Sequence, residues 1–429
     1  MKLLLKNARV VDPRSGIDGA YDVLIVDGRI ARVAARIPQD GATTLDLTGL
    51  CITPGFIDMH VHLREPGQEW KETIATGTRA AAAGGFTGVA CMPNTQPPID
   101  SRSVVEFVLA QARQHGMVPV YPIGCVSKGQ LGVELAEMGD MAVAGARGFS
   151  DDGKPVASAG LMRRALEYSR IFDLPVIDHC EEPTLSAGGV AHEGAVATRL
   201  GLAGWPGVAE DVMVQRDILL AEYTGGAVHI AHMSTARSAD LVRHAKAAGI
   251  RVTCEVTPHH IALTDEAVAG YDTHAKMNPP LRAEADRVGL LAAIADGTVD
   301  AIATDHAPHN ADEKCVEFSR APFGVVGLET AVSICLDRLV HGGVIGLPKL
   351  VELLSCGPAA ILRLDKGSLK EGADADITVI DLTREVVVAP RSFVSKSVNT
   401  PFAGWTLRGG PVMTIVGGRI VHDARANAR

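Results

Sequence analysis

Between about residues 55 and 360 the chain alternates short apolar runs with helical stretches of ten or more residues. Eight runs read as strands: GFIDMHVH, GFTGVACMP, MVPVYPIGC, GARGFSDD, LPVIDHCE, GAVHIAHMS, IRVTCEVTP and VDAIATDHAP. Stretches such as SVVEFVLAQARQH, GLMRRALEYSRIF and TARSADLVRHAKAA lie between them with helical character. This alternation predicts βα units on a parallel sheet, and eight of them fit a (β/α)8 TIM-type barrel. A doubly wound α/β sheet is the alternative.

Both ends of the chain have a different texture. The first fifty residues are short β-type runs broken by turns, LLLKNARVVD, DVLIVDGRIARVA and TTLDLTGLCITPG, with Asp27-Gly28 as a hairpin signal. The far end repeats the style in ADITVIDL, EVVVAP and PVMTIVGGRIVHD. We therefore expect a small β-sandwich domain formed from both chain termini, with parts at 1–54 and 361–429, around a barrel at 55–360.

Composition narrows the class. Hydrophobic residues make up 47% and charged residues 21% of the 429, and the formal charge is −9. No basic stripe is present, which argues against a nucleic-acid partner. No apolar run approaches the roughly 20 residues needed to cross a bilayer, and MKLLLKNARVVDPRSG meets Asp and Pro too early for a signal peptide, so we expect a cytoplasmic protein without membrane contact. The eight cysteines are scattered without a CxxC pair and read as reduced, mostly buried thiols.

Chemistry collects at the ends of the expected strands. The first ends in His60 and His62, the fourth in Asp151 and Asp152, the fifth in His179, the sixth in His232 and the eighth in Asp305 and His306. His60 and His62 stand two apart, so on a strand they share a face. In a barrel these groups converge on one mouth, where active sites are built. Imidazole and carboxylate suit zinc and similar divalent ions, and there are more candidates than the three protein ligands of one catalytic zinc, which favours a metal pair. His259 and His260 follow a proline at the seventh strand's end and are read as turn residues. His192, His244, His274, His341 and His422 have no such setting.

PGFIDMHVHLREPG, the HCE at 179–181, the HMS at 232–234, the TDHAPH at 304–309 and KGSLKEGADADITVIDL together resemble the amidohydrolase superfamily, and within it the bacterial class I dihydroorotases. The resemblance runs essentially end to end. It implies two Zn2+ ions held by His60, His62, Asp152, His179, His232 and Asp305, with Asp152 as bridge and Asp305 as catalytic acid and base. Many two-metal relatives bridge with a carboxylated lysine instead. Asp151 and Lys154 are the rivals to Asp152 here.

Arg64 follows the histidine pair, where a guanidinium can take a carboxylate in a two-pronged hydrogen bond. With His62, Asn94, Asn278, His309, Phe323 and Gly324 it sketches a site for a small anionic ring, the positions that the resemblance assigns to dihydroorotate. Dihydropyrimidinase-, hydantoinase- or allantoinase-type hydrolysis is the alternative, as is an inactive scaffold for aspartate transcarbamoylase, although such scaffolds have lost metal ligands. A homodimer is expected, and association with a transcarbamoylase stays open. The segment from His309 to Phe323, charged and aperiodic, reads as a mobile loop over the mouth.

Overall fold

The computed structural model describes residues 2–425. Phe56–Val61, Phe86–Cys91 and Val120–Pro122 pair in parallel in one sheet. Val176–Asp178, Val228–Ile230, Val252–Val256 and Ala301–Ile302 pair in parallel in another. Single bridges join the two sheets at both edges: Phe149 pairs with Gly124 and with Val176, and His306 pairs with Val61. The result is a closed eight-membered barrel. Its fourth member is shorter than expected, one bridged residue in place of a run. Beyond Ser150 the Asp151 carboxylate accepts from the N–H groups of Val126 and Ser127, so a side chain replaces the backbone ladder.

The barrel interior is filled by Ile57, Met59, Ala90, Met92, Ile123, Ile177, Ala231, Ala301 and Ala303, and Ala359, Ile361 and Leu362 pack into the same cluster. Ile57 and Met59 point into the barrel, so strict alternation would turn His60 and His62 out of it. The first strand's register shifts between Asp58 and Val61, an irregularity that re-aims the following side chains. Val61 and Leu63 then face the helical layer.

Strands from both ends of the chain form an eight-stranded mixed sheet. Its path runs from Arg419–Asp423 through Thr406–Val416, Ile377–Val387, Cys51–Pro54, Lys2–Asp12 and Ile17–Val26 to Arg29–Ala34, with Thr43–Asp46 beside Lys2–Asp12. The two halves share one apolar core that includes Leu5, Val10, Val23, Ile25, Ile52, Ile377, Val379 and Ile415. Asp27-Gly28 is a two-residue hairpin turn as expected, and Gly417-Gly418 makes its counterpart. The two turns touch. A Cβ on Gly28 would lie 2.9 Å from the Gly417 carbonyl oxygen, and both Gly28 and Gly418 have positive φ, which only glycine adopts at no steric cost.

Asp12, fully buried, ties the two chain ends together. Its Oδ1 accepts from the N–H groups of Arg14 and Ser15, and its Oδ2 accepts from Leu369 N at 2.7 Å and Ser368 Oγ at 3.1 Å. Asp12→Ala removes all four bonds, leaves the buried Leu369 N without a partner and should cost about 2–4 kcal/mol of stability. A thermal melt checks this; an unchanged melting temperature would show that the carboxylate is dispensable.

Candidate metal centre

Asp152 sits at the centre of the mouth and is 2% exposed. Its Oδ1 lies 3.3 Å from His60 Nε2, 3.4 Å from His232 Nε2 and 3.6 Å from His179 Nδ1, and its Oδ2 lies 3.5 Å from His62 Nε2. Asp305 Oδ1 is 3.0 Å from His62 Nε2 and 3.6 Å from His60 Nε2. Two overlapping donor sets result, His60 with His62 and Asp305, and His60 with Asp152 and His232. All six expected ligand residues are thus brought together.

Neighbours decide which imidazole nitrogen faces the centre. His60 Nδ1 lies 2.8 Å from Glu255 Oε1, His62 Nδ1 2.8 Å from Asn94 Oδ1, and His179 Nε2 2.9 Å from Glu181 Oε2. Each such bond orients its ring and turns the other nitrogen toward Asp152. Glu181 also accepts from Asn278 Nδ2 at 3.2 Å. Glu255, fully buried in the seventh strand, escaped the sequence reading; a carboxylate inside the apolar run VTCEV was the signal that could have found it.

The centre demands positive charge. Burial alone would raise the Asp152 carboxyl, yet His60, His179 and His232 outweigh it and hold the group well below the usual carboxylate range. Burial likewise pulls the His179 imidazole down, but hydrogen bonds to Asp152 and Glu181 win and lift it to about 10. His60 Nε2, Asp152 Oδ1 and His232 Nδ1 are buried and have no hydrogen-bond partner. Buried polar atoms are rarely left so. Nitrogen and oxygen donors converging in this way fit divalent metal ions, which would satisfy the orphaned His60 Nε2 and Asp152 Oδ1 and supply the missing charge.

A cavity of about 330 Å³ opens beside the centre, and His62, Arg64, Asn94, Asn278, His309, Phe323 and Gly324 all line it. Arg64 uses one N–H on the Pro308 carbonyl at 3.3 Å, the one hydrogen bond of its side chain among the described residues. Burial lowers its pKa to about 10, with Asp305 and Asp152 opposing, so the guanidinium stays charged. Asn278 Oδ1 is buried without a partner.

Other expectations are corrected or refined. His306 does not line the cavity: its Nδ1 accepts from Gly327 N at 3.2 Å and its Nε2 lies 3.4 Å from Glu72, while the left-handed backbone at Asp305, φ 47°, sends that side chain to the mouth. The 309–323 segment, expected as a mobile loop over the mouth, contains one helical turn. Asn310 caps the helical turn Ala311–Lys314, and Lys314 Nζ is buried against the carbonyls of Thr273, Lys276 and Pro322. His259 and His260 open the short helix Pro258–Ala262, capped by Thr257, and neither lines the cavity. His192, His244, His274, His341 and His422 are not among the residues lining it, and none is buried. Lys154 Nζ donates to the Gln130 carbonyl at 3.2 Å. Asp178, Cys180 and Asp217 form a further buried group, but Arg216 lies against both carboxylates, and burial holds the Cys180 thiol well above its ordinary pKa.

A family model of dihydro-orotase-like proteins matches residues 49–238, and one of the amidohydrolase family matches 221–422. A dihydroorotase of Pelotomaculum thermopropionicum is 58% identical over 99% of both chains, and one of Geobacter sp. strain M21 is 54% identical over 99% of this chain and 100% of its own. Among solved structures, the L-hydantoinase (dihydropyrimidinase) of Arthrobacter aurescens superposes with a TM-score of 0.88 at 26% identity, covering 98% of this chain and 96% of that one. Dihydropyrimidinase of Brevibacillus agri NCHU1002 has the same TM-score at 22% identity over 99% and 96%, a likeness of fold alone. With relatives of this identity matched along their whole length, the chain belongs to the dihydroorotase family of the amidohydrolases.

Proposed function

We propose that the protein is a zinc-dependent dihydroorotase, interconverting dihydroorotate and N-carbamoyl-L-aspartate in pyrimidine synthesis. The observation that carries this reading is a charged Arg64, with a single protein hydrogen bond, in the cavity that His62, Asp152, His179, His232 and Asp305 also line. His60, His62 and Asp305 would hold one ion, His179 and His232 the other, and Asp152 would bridge them. When bound, the metal pair brings a shared water toward a pKa of about 7 and polarises the attacked carbonyl.

The chain's own residues do the rest. Arg64 binds the substrate carboxylate through its free N–H groups. Asn278 Oδ1 has an unused acceptor for a ring N–H. Of the four backbone groups of Phe323 and Gly324, three are engaged: Phe323 O with His309 Nε2, Gly324 N with Lys276 O, and Gly324 O with Asn399 Nδ2. The Phe323 N–H remains for substrate. Asp305 takes a proton from the attacking water as the new C–O bond forms. It delivers that proton to the ring nitrogen as the C–N bond breaks, leaving a carboxylate and a ureido group.

Hydantoinase-type hydrolysis shares the fold, as the solved neighbours do, but gives Arg64 no carboxylate to bind. A scaffold-only role has no use for six converging ligands. Eight free cysteines suit a reducing cytoplasm. For the expected homodimer, the helix Val208–Thr224 offers an outward face exposing Val208, Val212, Leu219 and Tyr223.

Dihydroorotate hydrolysis by the purified protein should disappear with a chelator and return with Zn2+; activity confined to dihydrouracil would favour the hydantoinase reading. Asp152→Asn should lose both metal and turnover, and the parent enzyme should be indifferent to added bicarbonate. Bicarbonate-dependent activity that survives Asp152→Asn and is lost in Lys154→Ala would make the lysine the bridge. Arg64→Lys should raise KM for dihydroorotate about tenfold or more, since a point charge cannot reproduce the planar fork. Steady-state kinetics decide, and an unchanged KM would remove Arg64 from the site.

A further inference from the structure

The cavity's outer wall is made by two stretches of chain, Ala307–His309 and Phe323–Gly324, and they approach very closely. A Cβ on Gly324, whose φ is +135°, would lie 2.9 Å from the Ala307 carbonyl oxygen. One side chain from the distant carboxy-terminal part of the protein lies between them. Asn399, 1% exposed, accepts at Oδ1 from His309 N at 3.0 Å and donates from Nδ2 to Ala307 O at 3.0 Å and Gly324 O at 3.1 Å. Its own backbone carbonyl accepts from Val326 N at 2.9 Å. Both donors of the amide and its acceptor are in use, so only one orientation satisfies all of them.

The strap that carries Asn399 is itself anchored. Val394 N and Ser395 N donate to the Glu329 carboxylate, Ser395 Oγ donates to Glu72, and Ser397 Oγ donates to Lys71 O at 2.7 Å. Lys71 reaches back to the same wall, its Nζ 3.4 Å from His309 Nδ1. His309 Nε2 donates to Phe323 O at 2.7 Å. Burial, with Arg64, Lys71 and Lys314 nearby, keeps this imidazole neutral, which leaves Nδ1 free to accept. The backbone N–H and ring nitrogens of His309 are thus bound to the strap, to a residue the strap holds, or across the gap, and Glu313 Oε2 lies 3.5 Å from Nδ1.

We propose that Asn399 is a positioning residue: it sets the separation of Ala307–His309 from Phe323–Gly324 and thereby the shape of the substrate side of the cavity, without touching the metal centre. This rests on the dihydroorotase reading for its kinetic consequence, though not for its structural one. A carboxylate at 399 would keep the bond from His309 N and put an oxygen against the carbonyls of Ala307 and Gly324 in place of a donor. The two stretches would then part at the substrate end while the ligand strands beneath stay paired.

The test is Asn399→Asp in the full-length, zinc-loaded enzyme, beside the parent, with steady-state kinetics, elemental analysis and amide hydrogen exchange. KM for dihydroorotate should rise about tenfold or more while kcat stays within about threefold, the division expected when ground-state binding is lost and chemistry is kept. Metal content should not change, and exchange should quicken at 307–309 and 324–326. Equal loss of kcat and metal would show a general structural role and overturn the proposal, as would an unchanged KM. If Asn399→Asp does not fold, Ser397→Ala loosens the strap by one bond: the same division at smaller size supports the proposal, and an unaltered KM overturns it. A parent enzyme inactive on dihydroorotate would sink the functional reading and leave the exchange pattern to decide this one.

Discussion

The barrel mouth depends on a carboxylate that cannot reach water. Asp152 is buried among imidazoles from three other strands, and an ionised group in that position is costly unless opposite charge meets it at close range. No single strand could supply that charge. His60, His179 and His232 come from the first, fifth and sixth members of the ring, so the arrangement exists only when the barrel is closed. Fold and site are in this sense one event: the bridges at Phe149 and His306 close the sheet, and they also bring the donors of the proposed metal pair within reach of each other.

A second tier of groups keeps the donors aimed. Glu255 holds His60, Asn94 holds His62, and Glu181 holds His179 and, through its other contact, Asn278. The last case links two tasks, because the carboxylate that orients a proposed metal ligand also steadies a cavity amide. Glu255 Oε2 lies in turn 3.3 Å from His229 Nε2, and His229 Nδ1 lies 2.8 Å from Thr253 Oγ1. Buried polar chains of this kind are weak evidence for stability and are better understood as selecting one arrangement over its neighbours.

What was legible in the sequence follows from locality. His60 and His62 announced themselves by period two inside an apolar run, and HCE, HMS and TDHAPH marked strand ends by placing polar groups where hydrophobic ones stop. Alternation pointed to βα units, and the count of eight favoured a barrel over a doubly wound sheet. Three things were hidden for physical reasons. The irregularity between Asp58 and Val61, without which the histidines would face outward, depends on pairing with the second strand and leaves no composition signature. His306 beside Asp305 looked equivalent to it until backbone direction separated them. Asn399 lies in SVNTP, a stretch without periodicity, about ninety residues from the nearest proposed metal ligand in sequence, and its role exists only through three-dimensional contact.

Strain marks the same places. Arg64, His232 and Asp305 have φ of 62°, 30° and 47°, a region that side-chain-bearing residues enter at a cost of roughly 1–3 kcal/mol each. All three line the cavity, and each lies just beyond a barrel strand. A strand leaving the barrel in extended conformation would carry its next side chains alternately outward and inward along the axis. Turning the backbone left-handed at that point swings one side chain across the mouth instead. The surrounding structure has to impose this turn, and three bonds close to these residues do so: His306 O accepts from His62 N, the Asp58 carboxylate accepts from Thr304 N, and Glu255 accepts from His232 N. Two carboxylates and a carbonyl beneath the mouth thus hold the backbone in the conformations that the chemistry above requires, which is why the polar residues of this barrel cannot be divided into those that fold it and those that act.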